Sequence, residues 1–389
     1  MTPGAMTLPS FEFATAGRVV VGPGRAAELP SVLAGLGSRA VVCTGSHPAR
    51  HGELLAALTT PYTVVEVAGE PTVEAARAAA AVAGDHGADV VVAVGGGSVI
   101  DLAKAVAMLL TNGGDPLDYL EVVGRGRKIT QRAVPCVAVP TTAGTGAEVT
   151  ANAVLAAPGE RLKASLRSPL MIPSVALVDP LLTVGCPPPV TASAGLDALT
   201  QCLEPFVSVR ANPVTDSLAR AGLRHAASGL RRAYADGSDL GARASMALCS
   251  LLGGMALANA KLGAVHGFAA VIGGIAAVPH GVACAALLAP VVEANVASLR
   301  ARQPDSPALG RYAEVARLLT GRPDASIVDG LGWIRDTVAL LDIPRLWAFG
   351  LRPDQADEVV AKAAKASSMQ GNPIVLTEDD LHMILAQAV

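Results

Sequence analysis

Two hydrophobic patterns divide this chain. In its first half, short apolar runs rich in β-branched residues alternate with helix-like stretches: Arg39 to Thr44, Tyr62 to Val67, Val90 to Val94, Ala133 to Val139 and Val175 to Val178 read as strands. Val90 to Val94 shows no polar alternation, which predicts a central strand of a parallel sheet, covered on both faces. Thr72 to His86 and the stretch from Ser98 onward read as crossover helices. In the second, Val99, Leu102, Ala103 and Val106 recur at helical spacing, Ser98 serves as N-cap and Asp101 sits in the first turn. Strands and helices in this alternation predict a doubly wound α/β unit. Ahead of it, Phe11 to Val21 reads as a hairpin of two short strands around Ala16-Gly17, and Gly24 to Leu36 as helix.

The proline cluster Cys186-Pro-Pro-Pro-Val190 interrupts this alternation, since proline continues neither a helix nor a central strand. From Thr191 the pattern becomes helical, broken at Asn212-Pro213, Gly237-Ser238 and Pro304, with Ala269 to Ala277 the one strand-like run. Near the end, Thr377 with Asp380 three residues on forms a near capping box for a last helix. The expected division is residues 1–185, α/β, and residues 186–389, all-helical.

Composition narrows the class. Hydrophobic residues at 51% and charged ones at 16% suit a compact enzyme and exclude a disordered chain. A net charge of -3 and 3% aromatics leave neither the field nor the stacking platforms that nucleic acid needs. Met1 to Ser10 lacks the basic start of a signal segment, and no later run is a membrane span free of polar and breaking residues. The six cysteines are dispersed without a C-x-x-C pair, which points away from disulfides and toward a reducing cytoplasm.

Three stretches carry chemistry. Gly95-Gly96-Gly97 between strand and helix lets backbone approach a ligand and points N–H groups at an anion, so it reads as a pyrophosphate cradle, although Ile100 replaces the third glycine of G-x-G-x-x-G. Thr141, Thr142 and Thr145 crowd the glycine-rich turn after the next strand, with hydroxyls for phosphate and ribose. At the tip of the second strand, Gly45-Ser46 carries no acidic residue for an NAD ribose, while Ser46, His47 and Arg50 suit a 2′-phosphate and weakly favour NADP. In the helical half, Asp197 and Gln201 share one helix face at i,i+4, and His266 and His280 stand isolated in apolar sequence. One such histidine alone is more often a hydrogen-bonded core residue, but Asp197, His266 and His280 together match the three-ligand set of a catalytic divalent metal site.

These motifs, in order, resemble the iron-containing (group III) alcohol dehydrogenase family, including its maleylacetate reductase-like branch: Gly95 to Asp101, Pro140 to Glu148, Gly195 to Leu199 and Pro279-His280-Gly281. The resemblance covers nearly the whole chain. It implies an N-terminal dinucleotide-binding α/β domain plus an all-α C-terminal domain, the dehydroquinate synthase-like architecture, with NAD(P)H in the cleft between them. It implies that Gly96, Gly97, Ser98 and Asp101 hold the pyrophosphate region, Thr141, Thr142 and Thr145 the phosphate and nicotinamide side, and Lys163 a ribose. Asp197, His266 and His280 match metal-ligand positions, for iron or zinc, and a homodimer paired through the N-terminal hairpin is implied as well. The family pattern has histidine where this chain has Gln201 and often another where it has Ala270. The amide of Gln201 is a weaker ligand than imidazole and relays no proton. The expected reaction is reversible hydride transfer between nicotinamide and a small alcohol, aldehyde or keto acid. The alternatives are a metal-independent maleylacetate reductase-like enzyme, a lyase resembling dehydroquinate synthase, and an inactive scaffold.

Overall fold

The computed structural model describes residues 10–157 and 162–389. The strands are β1 (Arg18–Val21), β2 (Ala40–Gly45), β3 (Tyr62–Val67), β4 (Val90–Gly95), β5 (Cys136–Pro140), β6 (Asn152–Ala157), β7 (Leu162–Arg167) and β8 (Val175–Val178). The helices of the first half are α1 (Leu29–Ala34), α2 (Gly52–Ala56), α3 (Val73–His86), α4 (Gly97–Asn112) and α5 (Pro116–Tyr119). Those of the second are α6 (Pro188–Val207), α7 (Pro213–Ala235), α8 (Leu240–Ala260), α9 (Ala264–Ile275), α10 (His280–Arg302), α11 (Pro307–Thr320), α12 (Ile327–Leu340), α13 (Ala356–Ala363) and α14 (Glu378–Ala388).

Six strands form one parallel sheet in the order β1-β8-β5-β4-β2-β3. Every residue of β4 and β5 is buried, as uninterrupted apolarity requires of central parallel strands. Their side chains alternate between two cores. Val91 and Ala93 pack with α3 and α4 on one face, while Val90, Val92 and Val94 pack with Leu29, Leu33 and Leu55 on the other. The chain moves outward from β2 to β3 and in the opposite sense from β4 to β5, so the direction reverses between β2 and β4. In the register Thr44 lies opposite Val94 and Gly95 opposite Pro140, which brings Gly45, Gly95 and Pro140 to one edge of the sheet. That carboxyl edge at the reversal is where open α/β sheets bind ligands.

Buried apolar residues from Ala192 to Ala388 make a separate helical core. A small cluster joins the halves, with Ala16, Val149, Ala176 and Val178 against Ala247 and Leu251 of α8. Two helices, α8 and α10, have the length and apolarity to cross a membrane, but 56% and 83% of their most apolar windows are buried inside the fold.

Several expectations change. Phe11 to Val21 is not a hairpin: only Arg18–Val21 is a strand, and it runs parallel to β8. The preceding backbone is tied elsewhere, because Asn259 of α8 bonds both the N–H and the carbonyl of Ala14 at 2.7 and 2.9 Å. Ala269 to Ala277 is not a strand but lies largely in α9, whose Ala269 and Ile272 are buried in the helical core while Ala270 lines the cavity and Gly273 packs beside Lys163 of β7. Helix α4 starts two residues early, with Gly96 rather than Ser98 as its N-cap, so Ser98 is inside the first turn and Asp101 beyond it. An antiparallel pair, β6 with β7, adds to the expected elements. Thr377 does cap α14, in a full capping box with Asp380.

Candidate active site

The turn after β4 requires glycine because of what lies over it. A Cβ on Gly97 would stand 2.7 Å from Thr145 Oγ1, and one on Gly96 would stand 3.2 Å from Thr142 Oγ1. Two hydroxyls therefore close over a turn that only glycine fits. No side chain caps the first turn of α4, which leaves its free N–H groups for an outside acceptor. Thr141 continues from β5 and donates its N–H to Gly95 O at 3.0 Å. The loop is fastened to the helical half at Gly146, which has φ 59° and donates to Ser250 Oγ at 3.2 Å.

Beneath the loop lies Lys104, fully buried. Its ammonium donates to Ala147 O and Thr150 Oγ1, both at 3.0 Å, and stands 3.1 Å from Asp101 Oδ1. Asp101 also accepts the Val154 N–H at 3.0 Å, so β6 is docked onto α4 by this carboxylate. Burial pushes the Asp101 carboxyl above its ordinary value against the pull of Lys104. Burial also pushes Glu148, in the same loop, up to about 7.

At the tip of β2, Ser46, His47 and Arg50 are exposed, and Arg50 has no ion-pair partner among the described residues. A Cβ on Gly45 would meet nothing within 4 Å. Lys163 of β7 pairs with Glu70.

The helical half brings its polar residues to one point. Asp197, Gln201 and Glu204 follow one face of α6, His266 comes from α9, and His280 and Cys284 are one turn apart at the start of α10. His266 Nε2 lies 3.2 Å from Asp197 Oδ1, and His280 Nε2 lies 3.9 Å from the same oxygen. Cys284 Sγ lies 3.6 Å from His280 Nε2. The ligand atoms of Asp197, His266, His280 and Cys284 all fall within 4.8 Å of one another. Glu204 Oε2 takes the Nδ1 side of His266 at 2.7 Å, while Glu204 Oε1 accepts the Val265 N–H at 2.7 Å. In the neutral ring, an Nδ1 proton held there would leave the Nε2 lone pair facing the cluster, free to be taken by a cation in place of a second proton.

Asp197 Oδ1, Gln201 Oε1 and His266 Nε2 are buried with no hydrogen-bond partner. Buried polar atoms rarely stay unpaired, and three converging on one point fit a divalent cation. Burial works to raise the Asp197 carboxyl, but the His266 ring, the charge of His280 and the Gln201 amide outweigh it and bring it to about 2. The Cys284 sulfur is the main influence raising His280 to about 9, against its burial. Burial works to lower His266, but Cys284, Asp197 and Glu204 prevail and hold it well above the ordinary histidine value. The set thus favours a carboxylate and attracts positive charge.

One cavity of about 240 Å³ connects the halves. Gly97, Ser98, Asp101 and Thr145 line one side, and Gln201, His266, Ala270 and His280 the other, with Lys163 also on the wall. Gly45, Ser46, Gly95, Gly96, Thr141 and Thr142 lie outside it, along the sheet edge. Sequence reasoning missed Glu204 and Cys284. Glu204 continues the Asp197–Gln201 face at i+7, and Cys284 stands at i+4 from His280, so helical arithmetic would have found both.

The profile for iron-containing alcohol dehydrogenase matches residues 16–180, and that for the C-terminal part of the Fe-containing alcohol dehydrogenase family matches residues 191–389. Alcohol dehydrogenase 4 of Saccharomyces cerevisiae is 35% identical over 305 residues, spanning 78% of this chain and 77% of the yeast protein. The solved structure of a 1,3-propanediol oxidoreductase superposes with a TM-score of 0.89 at 32% identity, over 98% of this chain and 100% of the other. Sulfoacetaldehyde reductase from Bifidobacterium kashiwanohense, solved in complex with NAD+, gives 0.86 at 28% identity, over 98% and 99%. With an α/β half, a helical half and both family profiles matched in order, the chain belongs to the iron-containing alcohol dehydrogenase family of oxidoreductases acting on alcohols.

Proposed function

We propose that this protein interconverts a small alcohol and its aldehyde, ketone or keto acid, using NAD(P)H and a divalent metal held by Asp197, His266 and His280. The observation that carries the reading is the cavity shared by Gly97 of the glycine turn and by Gln201, His266 and His280, of which Gln201 and His266 hold buried unpaired ligand atoms. When bound, the nicotinamide supplies or takes the hydride and the ion acts as a Lewis acid on the substrate oxygen.

The chain's own residues do the positioning. Gly95 to Gly97 admit the pyrophosphate to the N-terminus of α4, Thr142 and Thr145 offer hydroxyls above it, and Asp101 and Lys163 line the approach. Gly45 and Ser46 take the adenosine end. Glu204 keeps the proton on His266 Nδ1, so that Nε2 remains a ligand. Leu257, Leu262 and Ala270 line the cavity with apolar surface that excludes water, and Ala270 leaves no imidazole there to relay a proton. Residues 1–185 and 186–389 act as nucleotide and metal domains of a cytoplasmic enzyme. Two chains pair through the N-terminal segment, in which β1 is an outer strand of the sheet and Phe11 and Phe13, ahead of it in the chain, are exposed.

A second reading, a metal-independent enzyme of the maleylacetate reductase-like branch, draws support from Gln201 in place of imidazole. Metal analysis of the purified protein, with a reduction screen of aldehydes, ketones and keto acids using both cofactors, tests these readings. Oxidation of reduced nicotinamide that stops on chelation and returns with metal is expected. Activity indifferent to chelation selects the metal-free reading, and no binding of reduced nicotinamide in a fluorescence titration overturns both.

A further inference from the structure

Cys284 has no role in the reading above, yet it is the sulfur among six thiols that faces two imidazoles and a carboxylate. Cys202 and Cys249, by contrast, pack against each other at 3.9 Å between sulfurs. We propose that the Cys284 thiolate is the fourth protein ligand of the metal centre, and that this makes the site selective for zinc over iron. The proposal rests on the metal reading under Proposed function and deepens it.

The geometry supports it. With metal–nitrogen, metal–oxygen and metal–sulfur bonds of about 2.0–2.1, 2.0–2.2 and 2.3 Å, a tetrahedral zinc site has nitrogen–sulfur edges of about 3.5 Å and nitrogen–oxygen edges of about 3.4 Å. The distances here are 3.6 Å from Cys284 Sγ to His280 Nε2, and 3.2 and 3.9 Å from Asp197 Oδ1 to the two imidazoles. The donors come from three helices, and His280 with Cys284 at i,i+4 forms a two-point clamp on α10.

The rival fourth ligand is Gln201 Oε1, buried, unpaired and part of the cavity wall with His266 and His280. An amide oxygen is neutral and hard, whereas a thiolate is charged and soft, and sulfur ligands favour zinc over ferrous iron. One carboxylate and one thiolate also neutralise a divalent charge in a buried site, where net charge is costly. On binding, the thiol proton leaves to solvent. With four protein ligands a substrate oxygen would have to enter as a fifth ligand, an expansion that catalytic zinc sites can make.

The test is optical and does not depend on turnover. Metal-free protein loaded with cobalt(II) is expected to show near-ultraviolet thiolate-to-cobalt charge-transfer absorption, retained in Gln201→Ala and lost in Cys284→Ser. Because changes even in outer partners of metal ligands cost about 10–100-fold in affinity, zinc binding by Cys284→Ser should weaken at least ~100-fold in competition with a chromophoric chelator. Its preference for zinc over iron should narrow as well. Cobalt bound at one per chain without that band, in the unmodified protein, overturns the thiolate ligand and leaves the Asp197–His266–His280 site standing. Neither cobalt nor zinc binding at all overturns this proposal and the metal reading together. The unmodified protein's own spectrum keeps the test decisive if Cys284→Ser fails to fold.

Discussion

Replacing Lys104 by methionine isolates one buried interaction that joins the nucleotide cradle to the loop above it. The ammonium has three donors, and they meet three acceptors: Ala147 O, Thr150 Oγ1 and the Asp101 carboxylate, at 3.0, 3.0 and 3.1 Å. Methionine preserves much of the stem's volume, so the change removes charge and hydrogen bonds while creating little cavity. It strands Asp101, whose side chain is only 15% exposed. Removing one member of a buried pair costs about 3–5 kcal/mol. The Val154 N–H still serves Asp101 and the Thr150 hydroxyl can rotate to another acceptor, so about 3 kcal/mol is expected. Adding Asp101→Asn deletes the stranded charge and should return about half of that loss, a coupling of roughly 1.5 kcal/mol. Urea unfolding measures both, as a shift in midpoint at constant slope. A loss below about 1 kcal/mol in the single variant, or a double variant no more stable than the single, would refute the reasoning.

Four further outcomes are expected. His280→Ala should abolish metal retention and lower turnover at least ~100-fold, the scale of lost Lewis-acid stabilisation; unchanged turnover would sink the metal mechanism. NADPH should serve at least as well as NADH, and Gly45→Asp, which the open space at Gly45 accommodates, should shift the ratio of kcat/KM toward NADH; an unmoved ratio means the β2 tip does not read the 2′ position. Burial lifts Glu148 from the ordinary 4.5 to about 7, so between those values the folded chain holds a proton the unfolded chain releases. Stability should therefore fall as pH rises through that window, and Glu148→Gln should flatten the slope and gain up to about 3 kcal/mol at pH 8; an unchanged pH profile in urea melts would contradict this. Light scattering at micromolar concentration should find a dimer or larger even oligomer, and a monomer would count against pairing through β1.

Much of the fold was legible because its signals are local. The apolar run Val90 to Val94 with three glycines behind it specifies strand and turn from neighbouring residues alone, and Tyr62–Val67 and Val175–Val178 match the structure at both ends. Errors arose where a distant partner decided. Ala269 to Ala277 is apolar on every side although only Ala269 and Ile272 of its helical part are fully buried, because Ala270 lines the cavity and Gly273 packs beside Lys163 of β7, and a segment without polar residues shows no period by which helix and strand differ. Phe11 to Val21 carries strand character, but Asn259 claims the backbone at Ala14 and β8 claims Arg18–Val21. The β6–β7 hairpin was readable, from Ala153 and Leu155 alternating on one side of Pro158-Gly159 and Ala164 and Leu166 on the other.

For the site, the sequence by itself determined the ingredients: a glycine turn, a hydroxyl-rich loop, and Asp197, His266 and His280 set in apolar surroundings. Their meeting was decided by the packing of α6, α9 and α10, which brings residues more than eighty positions apart within 4.8 Å. Only that packing shows that Glu204 orients His266 and that Cys284 joins the cluster. Helical spacing puts a side chain on a face, but the direction of the face depends on contacts between helices remote in the chain.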